Sequence, residues 1–272
     1  MPMILINGEA KEHISVLDRG LQYGDGLFET LAVINGQVLH WSRHWQRLQK
    51  ACQQLYLPMP EQQFFLEDIK RVTGDKSKAV VKIIYTRGGA GRGYAFTAMQ
   101  PTRVVMGFPW PDYSEDNQLK GVELFLCQTR LAQQPLLAGL KHLNRLENVL
   151  ARHEWSDKKY AEGLVLDTDG NVIEATMSNV FLIKNQALFT PLLSQCGVEG
   201  ITRQRLIENA KQVKIPVSIT KLGMDDVWAA DEMFVCNSLI GIWPVKKVQQ
   251  KKFELTESQD SITRRLQLSI NH

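Results

Sequence analysis

Apolar and polar positions change period several times along this chain. At the start, MILING alternates as a strand does and runs into an Asn-Gly pair. LAVINGQVL, Leu31 to Leu39, does the same around Asn35-Gly36, which is a strong hairpin signal. The period then lengthens, and Trp41, Trp45, Leu48, Cys52 and Leu55 form one helical stripe, with Ser42 as the expected early cap. A second helix is expected over 61–72, followed by the apolar runs AVVKIIYTR and TRVVMGF as strands.

PWPDYSEDNQ, Pro109 to Gln118, has no periodicity and is rich in turn-forming residues, which places a boundary there. The expected division is an N-terminal α+β domain over 1–115 and a larger domain over 116–272. The second half reads as a strand at VELFLC, a helix from about Leu143 to Lys159, and strands at GLVLD, NVIEA and SNVFLI. A helix near Gly200 to Gln212 follows, then a strand at PVSIT, a short helix near Met224 to Ala229, a strand at EMFVCNS and a terminal helix. The fold class is mixed α/β of the α+β kind in two domains.

Composition narrows the function. With 272 residues, 44% of them hydrophobic, a sizeable core is expected, and a net charge of +3 with interleaved signs gives no field suited to nucleic acid. The basic run KKVQQKKF, Lys246 to Phe253, reads as a solvated turn or edge strand. No signal-like leader or long apolar span is present, so a cytoplasmic protein without membrane attachment is expected. Cys52, Cys127, Cys196 and Cys236 are scattered in apolar segments without a C-x-x-C pair, which favours buried free thiols over disulfides or a metal site.

Four pieces carry candidate chemistry. In GVEGITRQRL, Gly200 precedes Ile201 and Thr202 at a helix start, whose unpaired amides suit an anion as readily as they suit an ordinary helix beginning. Arg47, beside the tryptophan stripe, is either a solvated arginine or a fork for phosphate oxygens. Glu174, after an apolar pair and before small residues, is either a strand-end surface group or a buried carboxylate that needs a cationic partner, such as a protonated pyridine nitrogen. Lys141, between Leu140 and Leu143 where irregular chain turns helical, is an amine that partial desolvation can ready for a Schiff base with an aldehyde.

Together these residues resemble the fold-type-IV pyridoxal-phosphate enzymes, from DRGLQYGDGLFET to DEMFVCNSLIGIWPV. The resemblance implies a two-domain fold with pyridoxal 5'-phosphate in the interdomain cleft and a homodimer, with the stretch Leu17 to Leu31 as a candidate shared wall. It also implies that Lys141 carries the cofactor, Glu174 pairs its pyridine nitrogen, and Arg47, the amides of Ile201 and Thr202, and Ser238, where the family usually has threonine, hold its phosphate. Within that family, TRGGAGRGYAF and AGLKHLNRLENVLAR are similar to the loop and lysine segment of aminodeoxychorismate lyases, and Leu146 stands where the aminotransferases usually have tyrosine. The resemblance thus implies a lyase that releases pyruvate from its small-molecule substrate and forms 4-aminobenzoate for folate synthesis, with Arg92 and Tyr94 meeting substrate carboxylates. A D-amino-acid or branched-chain aminotransferase and a non-catalytic pyridoxal-phosphate carrier are the alternatives.

Overall fold

Two Asn-Gly turns organise the first part of the chain in this computed structural model, which describes residues 3–89, 92–96, 100–255 and 261–270. Strands β1 (Met3–Ile6) and β2 (Glu9–Ala10) turn at Asn7 and Gly8. Strands β3 (Gly26–Ile34) and β4 (Gln37–Val38) turn at Asn35 and Gly36, with φ of 50° and 76°. Two consecutive positive φ values match the right-handed twist of the flanking strands, which is why Asn-Gly predicts the hairpin. With β5 (Lys78–Thr86) and β6 (Thr102–Pro109) they form an antiparallel sheet in the order β2-β1-β6-β5-β3-β4.

Helices α1 (Arg19–Tyr23), α2 (Trp41–Gln54) and α3 (Gln62–Thr73) belong to the same part. The tryptophan stripe of α2 packs as expected: Trp45 lies 5.5 Å from Trp41 and 5.6 Å from Phe65, which lies 5.7 Å from Tyr85. Ser42 is not the cap of α2. His40 takes that position in the left-handed region and makes no side-chain cap bond.

By internal contacts the chain divides into Met1–Asp112 with Leu140–Asn144, and Tyr113–Gly139 with Arg145–His272. The second unit holds α4 (Asp116–Leu119), β7 (Val122–Leu131), α5 (Leu146–His153), β8 (Tyr160–Asp167), β9 (Val172–Ala175), β10 (Asn179–Lys184) and β11 (Ala187–Pro191). It continues with α6 (Ile201–Gln212), β12 (Val217–Thr220), α7 (Met224–Ala229), β13 (Glu232–Asn237), β14 (Gly241–Val248), β15 (Lys251–Lys252) and α8 (Ile262–Ile270). Its sheet runs β12-β11-β10-β13-β14-β7-β8-β9 and closes on itself, because Asn179 at the start of β10 also pairs with Glu174 of β9. The ring encloses Leu124, Leu164, Val180, Val235 and Val245, while α6 and α8 cover its outer face through Leu206, Ala210, Ile262 and Leu266.

The sequence pattern and the structure also differ at three elements, for identifiable reasons. The helix expected over about Leu143–Lys159 is only Leu146–His153, since residues Leu140–Asn144 are extended: Phe28 N donates to Lys141 O and Leu143 N to Gly26 O. Strand β11 went unread because its hairpin with β10 places Asn185 and Gln186 at positive φ, without the glycine that flags such a turn. Strand β14 was masked by Pro244, yet it pairs with β13 and, across a bulge, with β7. The basic run folds as the β14–β15 hairpin, and all four cysteines are buried and free. Among the described residues no helix is long and apolar enough to cross a membrane.

Candidate active site

In the first unit, Lys141 and Arg47 are each anchored to β3, through the adjacent residues Phe28 and Glu29. The extended strip Leu140–Asn144 pairs with β3 around the Leu27–His142 bridge, which sets the Lys141 Nζ 4.2 Å from the centre of the Phe28 ring. Arg47 is not a solvated helix arginine. Its Nε and Nη2 donate to the two carboxylate oxygens of Glu29 at 2.7 and 2.5 Å, and its side chain is only 11% exposed.

His44 Nδ1 lies 2.7 Å from the same Glu29 carboxylate. Burial pushes the Glu29 pKa up, but the Arg47 charge and the His44 contact outweigh it and hold the carboxyl at about 2. Glu29 therefore fixes the plane of the Arg47 fork. No local pattern marks Glu29, because the pairing is made across 18 residues by tertiary packing.

In the second unit the closure of the barrel brings Glu174, the start of α6 and the end of β13 to one residue, Asn179. Its Cα is paired with Glu174 on one side and Cys236 on the other. Its Nδ2 donates to Val198 O at 2.8 Å, and its Oδ1 accepts from Gly200 N at 3.1 Å. A Cβ at position 200 would lie 2.0 Å from that Oδ1, so only glycine lets α6 begin this close to the barrel.

No side chain caps α6, and the amides of Ile201 and Thr202, its first two residues, have no carbonyl one turn earlier to bond. Arg203, next along, is spent on structure, donating to Thr190 Oγ1 and Pro191 O.

Glu174 is 4% exposed and accepts from Val198 N at 2.8 Å. Arg145 interacts electrostatically with it: burial lowers the Arg145 pKa, and Glu174 and Glu147 oppose that shift. Ser238 is half-buried in the turn after β13. Asn237 shapes that turn by accepting from Leu239 N and Ile240 N at 2.9 and 3.0 Å, while its Nδ2 reaches Ser178 Oγ at 3.0 Å. Arg92 and Tyr94 are exposed in a bend of the first unit, Tyr94 at 84%.

A second carboxylate unforeseen in the sequence underlies the Glu174 region. Glu162 on β8 is fully buried and accepts from Ser178 Oγ, Met177 N and Thr176 Oγ1. Burial pushes its pKa up from 4.5 to about 7, against those hydrogen bonds and with help from Glu174. The folded state thus holds a proton at Glu162 more tightly than the unfolded chain does. This group's contribution to stability is fully present below pH 4.5 and is lost as pH rises to about 7, by about 3 kcal/mol in all. Glu162→Gln is therefore expected to gain stability relative to wild type by about that amount between pH 4.5 and 7.5 in urea unfolding. A difference that stays constant across that range would refute a neutral Glu162.

The second unit thus offers amides with no helical partner beside a buried carboxylate, and the first offers a lysine and a held arginine. A class IV amino-transferase family model matches residues 26–248. An aminodeoxychorismate lyase from Vibrio harveyi is 36% identical over 270 residues, covering 99% of this chain and all of the relative. A putative branched-chain-amino-acid aminotransferase from Methanocaldococcus jannaschii is 30% identical, covering 90% of this chain and 87% of the relative. The crystal structure of 4-amino-4-deoxychorismate lyase from Pseudomonas aeruginosa superposes with a TM-score of 0.92 at 44% identity, covering 98% of this chain and 97% of that one.

Proposed function

Because the chain belongs to the class IV aminotransferase family, we propose that it is a pyridoxal-phosphate-dependent aminodeoxychorismate lyase, which releases pyruvate and leaves 4-aminobenzoate for folate synthesis. The observation that carries the cofactor half is the junction at Asn179, where a glycine-started helix whose leading amides have no intrahelical partner meets a buried carboxylate. These residues fit the group: amides, arginine and hydroxyl for a phosphate, a carboxylate for a ring nitrogen, and an amine for an aldehyde. The similarity of lyases over the whole chain favours this activity over transamination. Leu146, 77% exposed on α5 where the aminotransferases resembled have tyrosine, agrees.

In this reading the Ile201 and Thr202 amides, Ser238 Oγ and the Arg47 guanidinium bind the phosphate, with Glu29 orienting Arg47. Glu174 would pair with the pyridine nitrogen, and Lys141 would hold the aldehyde until the substrate amine displaces it and frees its Nζ. When bound, the cofactor supplies a carbonyl for the substrate amine and a ring that withdraws electrons. Lys141 Nζ then takes the proton from the ring carbon that bears the amine and returns one to the methylene carbon of the departing enolpyruvyl group. Arg92 and Tyr94 meet the substrate carboxylates.

The amine stays on the ring, so no keto acid is consumed. Incubation with aminodeoxychorismate alone is expected to yield 4-aminobenzoate and pyruvate in equal amounts. Turnover only when a keto acid is added would make the chain an aminotransferase, and neither activity would make it a carrier.

The active form is a homodimer. Leu146, Val149 and Leu150 make an exposed apolar stripe on α5, and Val16, Leu17 and Leu21 are exposed around α1. A protein that sediments as a monomer at micromolar concentration with full activity would remove the dimer. Four buried free thiols fit a cytoplasmic location.

A further inference from the structure

Two nearly buried arginines in the first unit share one carboxylate; Arg19 reaches the bend that carries Arg92 and Tyr94, and Arg87 the Phe96 ring just after it. Arg19 Nε donates to Asp25 Oδ2 at 2.8 Å, and Arg87 donates through Nε and Nη2 to the two oxygens of Asp25 at 2.7 and 3.0 Å. Their side chains are 4% and 5% exposed, so this is a desolvated cluster with more positive than negative charge. Burial raises the Asp25 pKa, but Arg87 and Arg19 outweigh it and the net shift is downward.

Other donors of the two guanidiniums serve backbone carbonyls. Arg87 holds Leu55 O and Tyr56 O at the end of α2, the helix that carries Arg47, both at 2.7 Å. Arg19 holds Gly93 O at 2.8 Å and Tyr94 O at 3.1 Å. Rings complete the strap: Phe96 lies 3.8 Å from the Arg87 guanidinium, and Tyr94 lies 5.5 Å from Tyr23, itself 4.8 Å from Arg19. The stretch Arg92–Phe96 is exposed throughout.

We propose that Arg19, held by Asp25, is a positioning residue that fixes the Arg92–Tyr94 bend so that it presents a cation and a hydroxyl to a dicarboxylate substrate. The substrate half rests on the lyase reading above, and the tether stands on the hydrogen bonds alone. An arginine is required because its planar fork spans the carboxylate and two successive carbonyls together, which a single ammonium cannot do.

The test uses the cofactor-loaded protein with Arg19→Gln, which leaves the two-point Asp25–Arg87 pair in place, and Arg19→Lys, which keeps the charge beside Asp25 and so protects the fold. Trypsin cleavage after Arg92, followed by mass spectrometry, is expected to be about tenfold faster in Arg19→Gln and intermediate in Arg19→Lys. The KM for aminodeoxychorismate should rise by about tenfold, with kcat within about twofold of wild type. If Arg19→Gln fails to fold, Arg19→Lys decides alone. Cleavage at the wild-type rate overturns the tether, and faster cleavage with unchanged KM overturns its role in substrate binding. If the wild-type protein shows no lyase turnover, the lyase reading fails while the cleavage result still decides the tether.

Discussion

Lys141→Ala is expected to lower 4-aminobenzoate release by at least about 10³-fold, since in the proposed mechanism Lys141 is both the amine that holds the cofactor and the group that carries the proton. The fold should survive it. The strip Leu140–Asn144 is fixed to β3 by the Lys141 carbonyl and the Leu143 amide, neither of which depends on the side chain. Alanine also removes the ammonium over the Phe28 ring, a contact worth about 0.5–1 kcal/mol. A large loss of activity with a small loss of stability is therefore the signature, read from the acceptor-free assay and urea unfolding of the same preparation. Near-native turnover in the alanine variant would remove Lys141 from the chemistry.

Glu174→Gln should lower kcat by about 10²-fold, because an amide cannot balance a protonated pyridine nitrogen as a carboxylate does. The Gln side chain can still accept from Val198 N through its oxygen, so the seam between β9 and β10 and the start of α6 should hold. Cofactor should then be retained through the phosphate contacts while turnover falls. Wild-type kcat in this variant would show that Glu174 is not the pyridine partner.

Local signals were legible where one residue type has one conformational use. Asn35-Gly36 predicted its hairpin because both positions need positive φ, and the Trp41–Trp45–Leu48–Cys52 stripe predicted the buried face of α2. Strands β11 and β14 escaped because Asn185-Gln186 and Pro244 are poor local signals whose conformations are imposed by pairing on both sides.

The candidate site divided along the same line. Lys141, Glu174, Arg47 and the start of α6 stand in recognisable stretches. Glu29 and Asp25 act by holding arginine side chains, and Asn179 and Glu162 by holding backbone groups, each on partners that tertiary packing makes neighbours. Arg47 shows the difference most clearly: its helix face was readable, but the carboxylate that pairs with it was not.

The central claim is that Lys141 is the residue to which the cofactor is bonded. Borohydride reduction of the loaded protein converts that bond into a stable amine, and a modified lysine resists trypsin. The account predicts a single pyridoxyl-bearing peptide running uncut from Leu131 through Lys141 to Arg145. A pyridoxyl group on any other lysine, with cleavage after an unmodified Lys141, would contradict it.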